Sequence, residues 1–205
     1  MSVIMNKPTI DFYFDFISPY SYLAATRIKL FEQQHAVSFN WLPVNLPRLI
    51  KLSGNTSPAN IKSKAIYSLR DLKRWALWLD VPLKMIRPGS FDSRAALRIS
   101  CALEGKDRAE FSLAVFDALW SGSVDPGNQQ WLQHIFELKG LPQQWLKQAD
   151  EGFESNTLAA LKAGAFGVPT FVLHPRSGRR SELLFGIDHM DFLARACKTG
   201  HTHTE

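Results

Sequence analysis

Residues 11–23 read DFYFDFISPYSYL, and the fold turns on the junction at Ser18-Pro19-Tyr20-Ser21. Upstream of it, Ile10, Phe12, Phe14 and Phe16 alternate with Asp11, Tyr13 and Asp15, the period of a strand with one face on a core. Downstream, Tyr20, Leu23, Ala24, Ile28 and Phe31 recur at helical spacing. Ser18 then serves as N-cap and Pro19 as the first helical residue, where its missing N–H is no loss. A second strand is expected in VSFNWLPV, residues 37–44, so the chain opens as a βαβ unit with parallel strands. The junction lies where some folds carry a redox Cys-x-x-Cys pair, and here both positions are serine.

From about residue 46 to 163 the signals change to helices separated by breakers. Leu69, Leu72, Trp75, Ala76 and Leu79 form an amphipathic stripe that stops before Val81-Pro82. Phe111, Val115, Ala118 and Leu119 form a second, ending at WSGSVDPG, and Leu132, Ile135 and Phe136 a third, ending at Lys139-Gly140. Strand signals return at Thr170–Leu173 and Ser181–Phe185, with a turn at Ser177-Gly178 that implies a hairpin. Asp188 is expected to cap the last helix, with Asp191 completing a capping box and Phe192, Leu193, Ala196 and Cys197 on its core face. The order βαβ, helices, ββα is that of a thioredoxin-like α/β fold with a large all-helical insertion. The expected division is 1–45 with 164–205 as the thioredoxin-like domain and 46–163 as the insert.

Composition sets the outer bounds. With 205 residues and 45% apolar content the chain can bury a substantial core. It lacks an apolar run of membrane-spanning length, and its start, MSVIMNKPTI, lacks the apolar centre of a signal peptide. Cys101 and Cys197 are the only cysteines, without metal-ligand spacing or an adjacent partner, and read as small core residues. A soluble protein of a reducing compartment, the cytoplasm, is the expectation. The net charge of +5 is spread along the chain, with small clusters at IKSK and HPRSGRR. No nucleic-acid motif accompanies them, so a solvated face or a small anionic ligand is the reading.

Three stretches could carry chemistry. Ser18 sits where a strand end feeds a helix N-terminus, a place with unpaired N–H groups that favours an anion; its simpler role is the cap itself. No G-x-S-x-G elbow makes it a hydrolase nucleophile. In GAFGVPT, Val168-Pro169 can be an ordinary edge proline. In the inferred order it is also the place of a cis-proline that would turn the main chain of Val168 towards the first helix. In LFGIDHMDFL, Asp188 can cap the helix and also meet a ligand ammonium group.

Together DFYFDFISPYSYLA, SGNTSPANIKSKAIYSLRDLKRWA, GAFGVPTF and LFGIDHMDFL resemble the motifs of the 2-hydroxychromene-2-carboxylate isomerase and kappa-class glutathione transferase family, in order and over nearly the whole chain. The resemblance implies a DsbA-like thioredoxin fold, a homodimer, and glutathione as cofactor with its sulfur beside Ser18. It also implies that Val168 bonds the peptide through its main chain, that Ile187 and Asp188 hold the γ-glutamyl end, and that Asn55 belongs to the glutathione site. Asn60 resembles a substrate-site asparagine, and Lys51 and Lys64 stand nearest to the family's basic residues. Lys51 lies about one residue from the isomerase spacing to SGN. Phe91 stands where the isomerases tend to carry tyrosine, and His189 where the family has arginine.

Two functions follow from that resemblance, and a third from the fold alone. The first is a glutathione-dependent isomerase acting on an aromatic substrate, as in aromatic and naphthalene catabolism. The second is a kappa-type transferase conjugating electrophiles, which Asn55 and Phe91 suit. The third is a non-catalytic thioredoxin-fold binding module. A thiol-disulfide oxidoreductase lacks both of its cysteines.

Overall fold

The computed structural model describes residues 7–174 and 180–199; the turn expected at Ser177-Gly178 lies outside them. Strand β1 (Thr9–Phe14) runs into helix α1 (Pro19–His35) and then strand β2 (Ser38–Pro43). The helical stretch follows: α2 (Leu46–Leu52), a 3-10 turn at Pro58–Asn60, α3 (Lys62–Leu79), α4 (Arg94–Ala102), α5 (Gly105–Trp120), α6 (Trp131–Lys139) and α7 (Gly152–Lys162). Strands β3 (Thr170–His174) and β4 (Glu182–Phe185) and helix α8 (Met190–Thr199) complete the described chain. The sheet order is β2-β1-β3-β4, with β1 parallel to β2 and antiparallel to β3, and β3 antiparallel to β4. This is the mixed sheet expected of a thioredoxin-like order.

The helix boundaries follow local chemistry. Ser18 caps α1, its Oγ accepting the Ser21 N–H at 3.1 Å, with Pro19 in the first turn. Helix α3 ends on Asp80 in the left-handed conformation, φ 52°, immediately before Val81-Pro82. Gly140, at φ 62°, closes α6, a conformation that glycine reaches without a Cβ penalty.

The central strand is buried on both faces, whereas its alternation suggested one. Ile10, Phe12 and Phe14 are fully buried among residues of α1, α5 and α8. On the opposite face, Tyr13 packs with Val44, Leu49, Ala160, Ala165, Val168 and Val172. The reason is tertiary: α2 and α7, the two ends of the helical stretch, return to cover the face that carries the polar members of the alternation. Arg108 of α5 further ties helix to sheet, donating to the carbonyls of Ser100, Cys101 and Leu103 at the end of α4 and to that of Trp41 in β2.

An aromatic column carries the core from sheet to insert. Phe14 and Phe16 meet at 5.3 Å between ring centroids, and Phe16 meets Phe116 of α5 at 4.9 Å. Trp120 donates its indole N–H to the Phe16 carbonyl at 3.1 Å. Burying each phenyl ring contributes roughly 1.5–3 kcal/mol, so the last residues before Ser18 are anchored by the helical stretch. No helix among the described residues is long and apolar enough to cross a membrane.

Candidate functional site

At the carboxyl end of β1 the chain turns through Asp15, Phe16 and Ile17 into α1, and the Ser18 N–H bonds the Asp15 carbonyl at 3.0 Å. The loop entering β3 comes up to the same turn. The Val168-Pro169 bond is cis, and Ser18 Oγ lies 3.5 Å from the Val168 carbonyl oxygen. That distance is the outer limit of a hydrogen bond, so the hydroxyl is only weakly engaged as a donor. As cap it accepts one N–H, and its proton remains available to a better acceptor. The first turn of α1 carries no acidic side chain, so no charge within it opposes an anion at the helix N-terminus.

Three further expected residues, Ile187, Asp188 and Asn55, lie close to this group along the chain or through hydrogen bonds. The Gly186 N–H bonds the Pro169 carbonyl at 2.9 Å, which places Ile187 and Asp188 next along the chain. Arg27 of α1 donates to the Ile187 carbonyl at 3.3 Å and to Asp191 at 3.4 Å. Asn55, in the loop after α2, donates from Nδ2 to the Phe166 carbonyl at 2.8 Å, two residues before Val168. The rings of Phe166 and Phe185 meet at 4.5 Å between centroids, tilted by 41°, an aromatic edge to the group.

Asp188 differs from its expected role. It lies inside a 3-10 turn, Ile187–His189, that precedes α8, and Gly186 rather than Asp188 occupies the cap position of that turn. Asp191 bonds Arg27 instead of closing a capping box. The Asp188 side chain is 64% exposed, with His189 Nδ1 at 3.4 Å, so its carboxylate remains available to a cation.

Lys51 sits in α2, Asn60 at the end of its 3-10 turn and Lys64 in the first turn of α3, all exposed. Among the described residues no hydrogen bond or ion pair joins any of the three to Ser18 or Val168. Phe91 is half-buried with its ring 5.7 Å from that of Trp131.

The residue that sequence reasoning missed is Asp15. Strand alternation put it on a polar face, yet it is 1% exposed. Its carboxylate accepts the Ser93 hydroxyl at 2.7 Å, the Leu46 N–H at 2.9 Å and the Ile17 N–H at 3.2 Å. Burial nevertheless prevails over these bonds and pushes its pKa up to about 6, with Asp92 adding repulsion. Ser21, in the first turn of α1, is fully buried with an Oγ that has no hydrogen-bond partner. Cys101 and Cys197 are half-buried free thiols, pushed by burial up to about 12 and about 11.

At the far end of the sheet, His174 joins Asp11 at 2.8 Å and Ser181 at 2.9 Å. The chain pairs Thr9 of β1 with His174 of β3, so this polar link is remote from Ser18 and ties neighbouring strands at the end of the sheet that the helices leave open.

Comparison with known proteins agrees with the fold and narrows the family. The model of the DSBA-like thioredoxin domain matches residues 9–198. A 2-hydroxychromene-2-carboxylate isomerase of Sphingobium xenophagum is 32% identical over 197 residues, covering 90% of this chain and 95% of that protein. Glutathione S-transferase kappa 1 of Caenorhabditis elegans is 30% identical, covering 91% of this chain and 89% of that protein. A solved structure of 2-hydroxychromene-2-carboxylate isomerase superposes with a TM-score of 0.78 at 28% identity, covering 93% of this chain and 95% of that one. The chain belongs to the DSBA-like thioredoxin family and, within it, to the group formed by the 2-hydroxychromene-2-carboxylate isomerases and kappa-class glutathione transferases.

Proposed function

We propose that this protein is a glutathione-dependent isomerase of the 2-hydroxychromene-2-carboxylate type. The observation that carries the reading is the weakly engaged Ser18 hydroxyl at the N-terminus of α1, facing the Val168 carbonyl at 3.5 Å. In this reading glutathione lies across Ser18, Val168 and the Ile187-Asp188 turn. Its thiol sits at Ser18, its peptide pairs with the Val168 main chain, its γ-glutamyl ammonium meets Asp188, and Asn55 borders the site.

A free thiol has a pKa near 8.5 and is only a few per cent ionised at neutral pH. Lowering that pKa by about two units requires roughly 2.7 kcal/mol. A hydrogen bond to a charged partner contributes about 1.5–3 kcal/mol and a helix N-terminus about 0.3–1. Ser18 and α1 are sufficient without a cation. The Asp15 carboxylate acts in the opposite sense, which makes the Ser18 donor more necessary.

The thiolate adds to a conjugated carbon of the aromatic substrate, and the displaced π electrons move to its carbonyl oxygen. The former double bond rotates, the electrons return, and the thiolate leaves from the other geometry; glutathione is regenerated. Lys51, Lys64 and Asn60 are assigned to the substrate carboxylate and to the developing negative charge. A soluble homodimer in the cytoplasm, serving aromatic catabolism, completes the reading. Leu77 and Trp78 of α3, each 82% exposed, are apolar surface that a second copy would cover.

The decisive experiment is turnover of 2-hydroxychromene-2-carboxylate with and without glutathione, run beside conjugation of a chlorinated nitroaromatic. Isomerisation that requires glutathione and outpaces conjugation supports the isomerase. The reverse outcome supports the kappa-type transferase, which Phe91 in place of a substrate-contacting tyrosine favours. Absence of glutathione binding in a calorimetric titration leaves a non-catalytic binding module.

A further inference from the structure

A carboxylate that is almost wholly buried and lacks a cation is costly to a fold, since removing a charge from water is offset only by good partners. Asp15 is such a group. Among the described residues it forms no ion pair, and the neighbouring charge acting on it is the Asp92 carboxylate, of like sign. Its three donors come from three places that matter to the site. The Ile17 N–H belongs to the turn that presents Ser18, and Asp15's own carbonyl holds the Ser18 N–H. The Leu46 N–H belongs to the first turn of α2, which leads to Lys51 and Asn55. The Ser93 hydroxyl, in a side chain 5% exposed, stands at the head of α4, two residues after Phe91.

We propose that Asp15 is the positioning residue of the site, a buried carboxylate that fixes the Ser18 turn, the start of α2 and the Phe91–Ser93 segment relative to one another. Its role is one of geometry. One oxygen gathers Ile17 and Ser93 and the other takes Leu46, so all three segments share a single small acceptor. An asparagine has nearly the same shape but puts an NH2 group where one oxygen was; the Ser93 hydroxyl can turn to accept from it, whereas the Ile17 or Leu46 N–H on that side loses its acceptor. At least one of the three segments must let go. Reacting groups misplaced by a fraction of an ångström to an ångström lose rate steeply.

The inference rests on the glutathione reading, and the experiment separates the two. Asp15→Asn, Ser93→Ala and Ser93→Thr are compared with the wild type for melting temperature, glutathione affinity by calorimetry, thiolate absorbance of bound glutathione near 240 nm, and kcat and KM for the isomerisation. The expected result for Asp15→Asn is a kcat lowered at least tenfold, with a melting temperature at pH 7.5 no lower than that of the wild type and a thiolate fraction equal or larger. A residue that only stabilised the fold would not separate activity from stability in this way. Ser93→Ala is expected to lower kcat by severalfold, and Ser93→Thr, which keeps the hydroxyl, to recover most of it. A kcat for Asp15→Asn within twofold of the wild type overturns the inference alone, as does Ser93→Thr behaving like Ser93→Ala. A wild-type protein that binds no glutathione overturns the functional reading and the inference with it.

Discussion

The Ser18 hydroxyl oxygen lies 3.5 Å from the carbonyl oxygen of Val168, a residue 150 positions later in the chain. The contact brings a helix N-terminus and the loop entering β3 to one point, with the serine proton weakly held between them. Removing that proton donor should therefore affect a bound anion far more than it affects the resting protein. Ser18→Ala is expected to raise the thiol pKa of bound glutathione by about one to two units, the equivalent of a hydrogen bond to a charged acceptor, and to lower turnover at neutral pH at least tenfold. The lost N-cap should cost about 1 kcal/mol in denaturant unfolding. Unchanged thiolate absorbance and turnover would remove Ser18 from the mechanism.

Asp188 offers a cleaner separation of binding from stability. It is mostly exposed and caps no helix, so Asp188→Ala should leave unfolding free energy within about 0.5 kcal/mol of the wild type. Loss of a charge-assisted contact to the γ-glutamyl ammonium should weaken glutathione binding by tenfold or more, from about 1.5–3 kcal/mol. Cysteinylglycine, which lacks the γ-glutamyl group, should bind wild type and variant equally. Calorimetry with both ligands provides the comparison.

Stability should carry the signature of Asp15 as pH changes. Its pKa is raised by burial to about 6 in the folded protein, against about 3.9 in the unfolded chain. The folded state thus holds the proton more tightly, and the stabilisation due to that proton is complete below pH 4 and lost as pH rises to 6. Denaturant unfolding of wild type and Asp15→Asn at a series of pH values should show the difference moving in favour of the variant by up to ~3 kcal/mol between pH 4 and 7. A difference flat across that range would contradict the raised pKa.

The two thiols should be silent. Burial pushes Cys101 up to about 12 and Cys197 up to about 11, so neither is appreciably ionised at pH 8, and the thiolate is the reactive form. Ellman's reagent is expected to titrate no thiol rapidly in the native protein and both after unfolding in guanidinium chloride. Alkylating agents should leave turnover unchanged. Rapid native reaction of either thiol would show that its segment opens readily.

Much of the architecture could be read locally. The alternation of Ile10, Phe12 and Phe14, the Ser-Pro start of α1, the stop of α3 before Val81-Pro82 and the glycine closing α6 each depend on a few neighbouring residues. Such signals follow from pleat, helical pitch and unpaired terminal groups, which act within a turn or two. The facing of Ser18 and Val168 was also legible, because a strand order and a proline at a strand entrance together imply it.

The burial of Asp15, the second covered face of β1 and the displacement of Asp188 from the cap were not legible, and they share one cause. Asp15 meets Leu46 and Ser93, 31 and 78 residues away, and Tyr13 is covered because Ala160 of α7 packs over its face. Asp188 loses the cap position because the chain tightens into a 3-10 turn, with Arg27 of α1 reaching the Ile187 carbonyl and Asp191. By itself the sequence determined the order of strands and helices and the Ser18-Pro19 start of α1, since both depend on nearby chemistry. Only the tertiary structure decided which carboxylate is buried and which remains in water, because desolvation depends on segments that pack together from distant parts of the chain.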